Sequence, residues 1–148
     1  MTLEELKNRW PVLRTVSLEH GPGWYGIIDL IMSAISTAGF DTDRDEIRQV
    51  KEKFGTLKFY IACDVHAKDG HESDVHESRQ RLQRILQAIN DNNTSGKTCE
   101  QCGKMGQLLV SAGWWSTRCT EHASEGAMPP GQYFAMRASK ARPNEDGA

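Results

Sequence analysis

The sequence predicts an α+β fold in which two main helices pack on a small antiparallel sheet, followed by a cysteine-containing module. Apolar residues recur at helical spacing over Trp24 to Ala38 and again over Val75 to Ile89. Over Ile47 to Cys63 they alternate with polar residues, as in a β-hairpin. A chain of 148 residues accommodates one compact unit with a small appendage. We therefore assign the helices and the hairpin to one α+β domain, residues 1–93.

The N-terminal segment predicts a short helix. Thr2 and Glu5 have the spacing of a capping box, and Pro11 would end the helix. The segment from Val12 to Leu18 is expected to be a short extended piece.

The first main helix carries an apolar stripe about four turns long. Pro22 or Gly23 would begin the helix and Gly39 would end it. Asp29 falls opposite the stripe and is expected to face water. The stripe is typical of a core face rather than of a cofactor groove, and its members are Trp24, Ile27, Ile28, Ile31, Ile35 and Ala38.

The predicted hairpin turns at Gly55-Thr56. One face would pack on the helix and consists of Val50, Glu52, Phe54, Leu57, Phe59 and Ile61. The opposite face would carry Lys51, Lys53, Lys58 and Tyr60. Such a lysine row is typical of a solvated face that discourages edge pairing, although it also suits contact with phosphates.

The second main helix is predicted to end near Asn92-Asn93, with Ser73 or Asp74 as its cap. A polar loop from Asp64 to Glu72 precedes it. Three histidines in this region, five residues apart, cannot converge on one helical face. In a loop they would either be solvated or gather a second metal; they are His66, His71 and His76.

Two pairs of metal-ligand residues lie near the C-terminus. Cys99 and Cys102 form one pair, Cys119 and His122 the other, and two residues separate the members of each pair. That spacing lets both side chains reach one ion from a tight turn, and three thiolates with an imidazole suit tetrahedral Zn²⁺. Gly103 supplies the permissive backbone of a metal knuckle. Because four protein ligands close the tetrahedron, this single zinc would be structural rather than catalytic.

Two alternatives for the cysteines have less support. A redox CxxC motif would normally belong to a strand–helix–strand unit, which is not predicted around Cys99. A disulfide framework suits small secreted chains, and the N-terminus lacks the pattern of a signal peptide. Three cysteines belong to the cluster and Cys63 is left over, which favours a reducing cytoplasm. The longest apolar stretch is too short and too polar to span a bilayer.

The zinc-binding module is assigned to residues 94–125. Gln107–Val110 and Trp114–Thr117 are predicted to be two short strands joined across Ser111–Gly113. The stretch from Cys119 to Ala123 would begin a short helix. A knuckle, a hairpin and then ligands at a helix start resemble a treble clef.

The remaining residues, 126–148, are predicted to be a partly disordered tail. Pro129-Pro130-Gly131 would break structure, and one short turn containing Tyr133, Phe134 and Met136 would dock on the molecule. Residues from Ala138 onwards would be mobile.

Four aromatic residues are candidate interaction sites. Trp114 and Trp115 are adjacent in a predicted strand, so their side chains point to opposite faces. Trp24 and Tyr25 pose the same question at the start of the first main helix. In each pair, either both rings pack in the core or one anchors a partner at the surface.

Four stretches together resemble a known group of small proteins. They are Gly23-Trp24 with Ile27–Leu30, Val50–Tyr60, Thr98–Lys104, and Gly113-Trp114 with Arg118–His122. The chain resembles uncharacterised small proteins of tailed phages and prophages that carry a C-terminal zinc-knuckle module. The resemblance covers about Leu18 to Ala123, and it implies a phage or mobile-element origin with action inside a bacterial cell. Small phage proteins often bind and block a component of host defence.

The functional expectation is a non-enzymatic protein that binds a macromolecular partner, such as a host defence protein. The sequence contains no P-loop, nucleophile elbow, HExxH or dinucleotide fingerprint. A net charge of −2 does not by itself indicate a nucleic-acid partner. The first alternative is nevertheless a nucleic-acid-binding zinc module; its basic patch would comprise Lys51, Lys53, Lys58, Lys97, Lys104 and Arg118. The second alternative is a protein that binds a small nucleotide signal. We expect no membrane association.

Overall fold

The computed structural model describes residues 1–63, 72–91 and 93–141. Its α-helices are α1 (Leu3–Arg9), α2 (Tyr25–Thr37), α3 (Glu72–Asp91) and α4 (Pro130–Ala141). Its strands are β1 (Leu18–Glu19), β2 (Asp45–Lys53), β3 (Thr56–Cys63), β4 (Gln107–Ser111) and β5 (Trp114–Arg118). Short 3₁₀ helices cover Pro11–Thr15, Pro22–Trp24 and Ser95–Lys97. The predicted mixture of helices with small sheets is confirmed. Within the described segments, none of the helices has both the length and the apolar character to cross a bilayer.

The larger sheet has the order β1-β2-β3. β2 and β3 pair antiparallel as predicted, and β1 adds a parallel edge at Leu18 opposite Val50. The turn between β2 and β3 is Phe54-Gly55, one residue earlier than predicted, and both residues have positive φ angles of 51° and 74°. Such turns match the twist of a hairpin. As a consequence, Phe54 lies outside the strand face to which the sequence assigned it, and its exposed fraction is 65%.

The main core lies between the sheet and the helices α1, α2 and α3. The apolar stripe of α2 is buried there except for the half-buried Ile27, and Gly39 follows the helix as predicted. The Gly39 and Phe40 amides donate to the carbonyls of Ser36 and Ile35, which closes the helix end. Other buried members of this core include Leu6, Leu13, Ile47, Val50, Phe59 and Leu82.

The prediction that Asp29 faces water is wrong. Its exposed fraction is only 9%, and its carboxylate accepts hydrogen bonds from Arg9 Nη1 at 2.8 Å and Trp10 Nε1 at 2.7 Å. Helix α1 packs against this side of α2, so a position that the periodicity leaves outside the core is covered by a distant element.

The N-terminal segment agrees with the sequence only in part. The capping box is confirmed, because the Thr2 amide donates to Glu5 Oε2 at 2.7 Å and the Glu5 amide donates to Thr2 Oγ1 at 3.2 Å. The segment after Pro11 is not extended but forms a 3₁₀ helix, which the fixed φ of a proline in its first turn favours.

Helix α3 includes Ser73 and Asp74, so neither residue precedes it as a cap. One of its arginines, Arg79, is buried and forms an ion pair with Asp45, the first residue of β2. The predicted polar loop, His66 and His71, and the side chains of His76 and Cys63 lie outside the described residues.

The C-terminal region contains more structure than predicted. Pro130 does not break structure but begins α4, a helix of 12 residues that extends past Ala138. Proline is favoured in the first turn of a helix, where its missing amide hydrogen is not needed. Tyr133 docks and is buried, whereas Phe134 is half exposed. Residues 142–148 of the predicted tail lie outside the described segments.

Candidate metal centre

The first ligand pair lies on a tight backbone knuckle. The Cys99 amide donates to the Lys104 carbonyl, and the Gly103 amide donates to the Cys99 carbonyl, both at 2.8 Å. Gly103 has a φ of +76°, a conformation that glycine adopts without steric cost. The knuckle therefore places Cys99 and Cys102 on the same side of the turn, as the sequence predicted.

The second ligand pair is brought to the knuckle by the β4–β5 hairpin. β4 and β5 pair antiparallel, with Leu108 opposite Thr117, and β5 ends directly before Cys119. The His122 amide then donates to the Cys119 carbonyl at 3.1 Å in a turn. The predicted helix at Cys119 to Ala123 is wrong: these residues form turns, and the next helix, α4, begins only at Pro130. The treble-clef helix is thus absent from this described segment.

The four ligand atoms converge within 4.8 Å of one another. Cys119 Sγ lies 3.3 Å from His122 Nδ1, Cys99 Sγ lies 3.6 Å from the same nitrogen, and Cys102 Sγ lies 3.7 Å from Cys119 Sγ. A tetrahedral ion with bond lengths of about 2.0–2.3 Å requires ligand separations of about 3.5–3.8 Å. The geometry fits one metal ion with Nδ1 as the histidine donor.

Backbone groups favour the thiolate form of the first ligand. Burial raises the pKa of the Cys99 thiol, but amide donors of Cys119, Cys102 and Gln101 outweigh it and lower this pKa to about 6. The pKa of Cys102 is raised: an amide donor at Lys104 lowers it, but burial and the neighbouring thiols Cys99 and Cys119 outweigh that donor. Backbone donors of this kind also hold the sulfur atoms in place for a cation.

The knuckle is docked on the segment that precedes α2. Glu100 receives two amides of that segment: Gly23 donates to its carbonyl at 2.7 Å and Gly21 donates to its Oε1 at 3.0 Å. The backbones approach so closely that a Cβ atom on Gly23 would lie 2.1 Å from the Cys99 carbonyl oxygen. Trp24 is fully buried beside this junction and donates from Nε1 to the Thr98 carbonyl at 2.8 Å.

A second junction connects the module to the β2–β3 hairpin. Thr117 Oγ1 donates to the Gly55 carbonyl at 2.6 Å, and the Leu57 amide donates to Ser95 Oγ at 2.9 Å. The metal-ligand region is therefore fixed to the α+β domain at two separate places.

The predicted interaction residues have different environments. Trp24 is buried, which removes it as a surface anchor, and Tyr25 is half-buried. Trp114 has an exposed fraction of 81%, whereas Trp115 is half-buried on the opposite face of β5.

Phe54, Trp115 and Phe134, from three segments, lie as neighbouring rings. Together with Trp114, which is on the other face of β5 but lines the same cavity as Phe54 and Trp115, we call them the aromatic surface. The ring centroids of Phe54 and Trp115 are 6.3 Å apart, and those of Trp115 and Phe134 are 6.0 Å apart. Trp114, Trp115 and Phe54 also line a shallow cavity of about 310 Å³. Sequence reasoning missed Phe54 and Phe134 as surface residues, because it assigned one to the core face of a strand and the other to a docked turn. One feature of the sequence could have indicated the position of Phe54. Two-residue hairpin turns favour glycine as their second residue, and with Gly55 in that position Phe54 is the first turn residue.

Comparisons with protein-family models, with curated proteins and with solved structures found no match to this chain.

Proposed function

We propose that this protein is a non-enzymatic binding protein in which one structural zinc ion holds the aromatic surface in place for a macromolecular partner. The observation that carries the proposal is the exposure of Phe54, Trp114 and Phe134, with exposed fractions of 65%, 81% and 51%. Phe54 and Phe134 each neighbour the Trp115 ring, and Trp114 lines the same cavity as Phe54 and Trp115. Soluble proteins rarely leave contiguous aromatic rings exposed without a partner for them. Aromatic residues are also the commonest anchors of binding sites.

The donor set supports zinc as the metal. Three thiolates and one imidazole are typical of structural zinc sites, whereas hard cations such as Mg²⁺ and Ca²⁺ prefer oxygen ligands. Four protein ligands leave no coordination position for a substrate, which favours a role in stability over one in catalysis.

The metal and the aromatic surface are connected through β5. This strand carries Trp114 and Trp115 at one end and leads into the ligand Cys119 at the other. Closing the metal site would therefore fix the strand that presents the rings. The resemblance to phage proteins favours a partner inside a bacterial cell, for example a component of host defence.

The proposal is tested by affinity purification of the tagged full chain from bacterial lysate. A double variant, Trp114→Ala with Phe134→Ala, removes two exposed rings, and Leu30→Ala removes another exposed apolar side chain (69% exposed) on α2 as a matched control. We expect one partner, protein or nucleic acid, to co-purify with the wild type and with the Leu30 variant but not with the double variant. Identical recovery in all three, or no partner together with turnover of a substrate, would contradict the proposal.

A further inference from the structure

Resting on the proposed function, we propose that the partner of the aromatic surface is a single-stranded nucleic acid. Unpaired bases would stack on the exposed rings of Trp114, Phe54 and Phe134, and nearby cations would contact the phosphates. Proteins that bind single strands combine these two features, and stacking tolerates any base because every base has a π-face.

Cations lie beside the rings on two sides. The ammonium group of Lys53 is 5.6 Å from the ring centroid of Phe54, and the guanidinium group of Arg137 is 5.9 Å from that of Tyr133. Tyr133 contacts the Phe134 ring edge-to-face, with centroids 5.5 Å apart. Arg137 is thus one ring away from the aromatic surface, while Lys53 lies directly on it.

Three cations, Lys53, Arg137 and Lys140, are counted here against one carboxylate, Glu52, although the whole chain is slightly acidic. Helix α4 contains Arg137 and Lys140, on the same side as Tyr133, and no aspartate or glutamate. Glu52 also lines the cavity, and its carboxylate accepts a hydrogen bond from the Gly55 amide. The surface therefore presents cations next to flat apolar rings, which matches the charge of a phosphate backbone.

The same arrangement is less suited to a protein partner. Lysine is depleted at the centre of protein interfaces, because burying its ammonium group there is costly. Here Lys53 lies over the ring that a protein would have to cover, whereas a nucleic acid would bring a phosphate to it.

Three of the six residues of the basic patch predicted from the sequence are engaged elsewhere. Lys104 pairs with Glu121 and Arg118 pairs with Glu100, each at 3.0 Å. Lys58 donates to the Asn90 carbonyl at 3.3 Å. Of that patch, Lys53 is the residue that lines the aromatic cavity. The proposed phosphate contacts are therefore beside the rings and not at the knuckle.

The test is fluorescence anisotropy with the full zinc-loaded chain and a labelled oligothymidylate about 20 nucleotides long, compared with a duplex of the same length. We expect the single strand to bind more tightly than the duplex, whose bases are already stacked. The double variant Trp114→Ala with Phe134→Ala should weaken binding about tenfold or more, while Leu30→Ala should leave it unchanged.

The cations are tested by salt dependence. The double variant Lys53→Gln with Arg137→Gln should lower the slope of log affinity against log salt by about 0.7 for each lost phosphate contact. The matched control is Arg84→Gln, an exposed arginine of α3, which should leave the slope unchanged.

Two results would overturn the inference. Equal binding of single strand and duplex would exclude base stacking. The second result is that no oligonucleotide binds, while a host protein or a second copy of this chain co-purifies with the wild type and not with the aromatic double variant. The partner would then be a protein, and the proposed function would stand. If the double variant loses no partner of any kind, the proposed function fails as well.

Discussion

The α+β domain and the metal-ligand region are stabilised in different ways. In the domain, buried apolar side chains such as Ile28, Ile35 and Phe59 spread the stabilisation over many contacts. In the region from Thr98 to His122, the buried apolar side chains of the hairpin are Leu109 and Val110, and four ligand residues converge at one point. Losing one side chain should therefore weaken the domain gradually, whereas losing one ligand should unfold the module as a whole.

Metal removal should have the largest effect. Structural zinc contributes about 10–16 kcal/mol of apparent binding free energy in small zinc-finger domains, which is comparable with the stability of a whole domain. After chelation, or in Cys119→Ser, we expect the amides of β4 and β5 to lose protection from hydrogen exchange while those of α2 keep it. Adding excess zinc to the chelated sample is the control and should restore protection. Equal loss in α2 would show that the two regions are a single cooperative unit.

Truncating a core ring of the α+β domain should cause the next largest loss of stability. Phe59→Ala should lower the free energy of unfolding of the α+β domain by about 3–5 kcal/mol, because it leaves a cavity. Phe54→Ala is the matched control, and its cost should stay below about 1.5 kcal/mol because that ring is mostly exposed. Urea denaturation monitored by far-ultraviolet circular dichroism measures both. Similar costs for the two phenylalanines would contradict the assigned core.

The junction between the two regions is tested with glycines. A Cβ atom at Gly23 would approach the knuckle backbone to 2.1 Å from the Cys99 carbonyl oxygen and 2.5 Å from the Gly103 nitrogen. Gly23→Ala should therefore cost about 1–3 kcal/mol and reduce exchange protection at the knuckle.

Gly26, in the first turn of α2, is the matched position. A Cβ atom there meets no atom of the described residues within 4 Å, so Gly26→Ala should stabilise the helix by about 0.5–1 kcal/mol. A neutral effect at Gly23 would mean that the knuckle is not docked as described.

The smallest effect concerns His20, which stacks on Trp24 at the junction. Burial lowers the pKa of His20, although the Gly21 carbonyl and Glu100 act in the opposite direction. Its Nε2 has no hydrogen-bond partner among the residues that the structure describes. Since the unfolded state then binds more protons below a pH of about 6.5, stability should fall as the pH decreases from there to the lowered pKa.

The measurement compares wild type with His20→Phe in urea at pH values above and below that window. Both proteins contain the same metal ligands, so acid release of the metal cancels in the difference. We expect a shallower pH dependence in the variant; identical slopes would show that His20 does not titrate on unfolding.

Local patterns predicted the two main helices, the two hairpins and the convergence of the metal ligands. The α2 stripe, the hairpin and the two ligand pairs each depend on residues a few positions apart, so spacing alone specifies them. Asp29 was misplaced because its partners, Arg9 and Trp10, come from another helix. The three-turn length of α4 was not predicted, because a proline such as Pro130 either breaks a helix from within or is favoured as its first residue. The sequence alone does not distinguish the two.

The aromatic surface could not be predicted for the same reason. Phe54, Trp115 and Phe134 are far apart in sequence, and their proximity follows from the contact of the β2–β3 turn with β5 and from the docking of α4 on the β4–β5 hairpin. By contrast, the exposure of Trp114 and the half-burial of Trp115 agree with strand alternation, which is a local rule.

The hydrogen bonds from Gly21 and Gly23 to Glu100 also constrain the order of events at the ribosome. Gly21 and Glu100 are separated by 79 positions. The segment that contains the two donor amides therefore leaves the exit tunnel before Glu100, their acceptor, is synthesised. The ligand pairs, by contrast, lie close together in sequence and can capture an ion as soon as His122 emerges. The nascent chain should thus bind the metal first and dock the knuckle afterwards. Until then, water should hydrate the amides of Gly21 and Gly23.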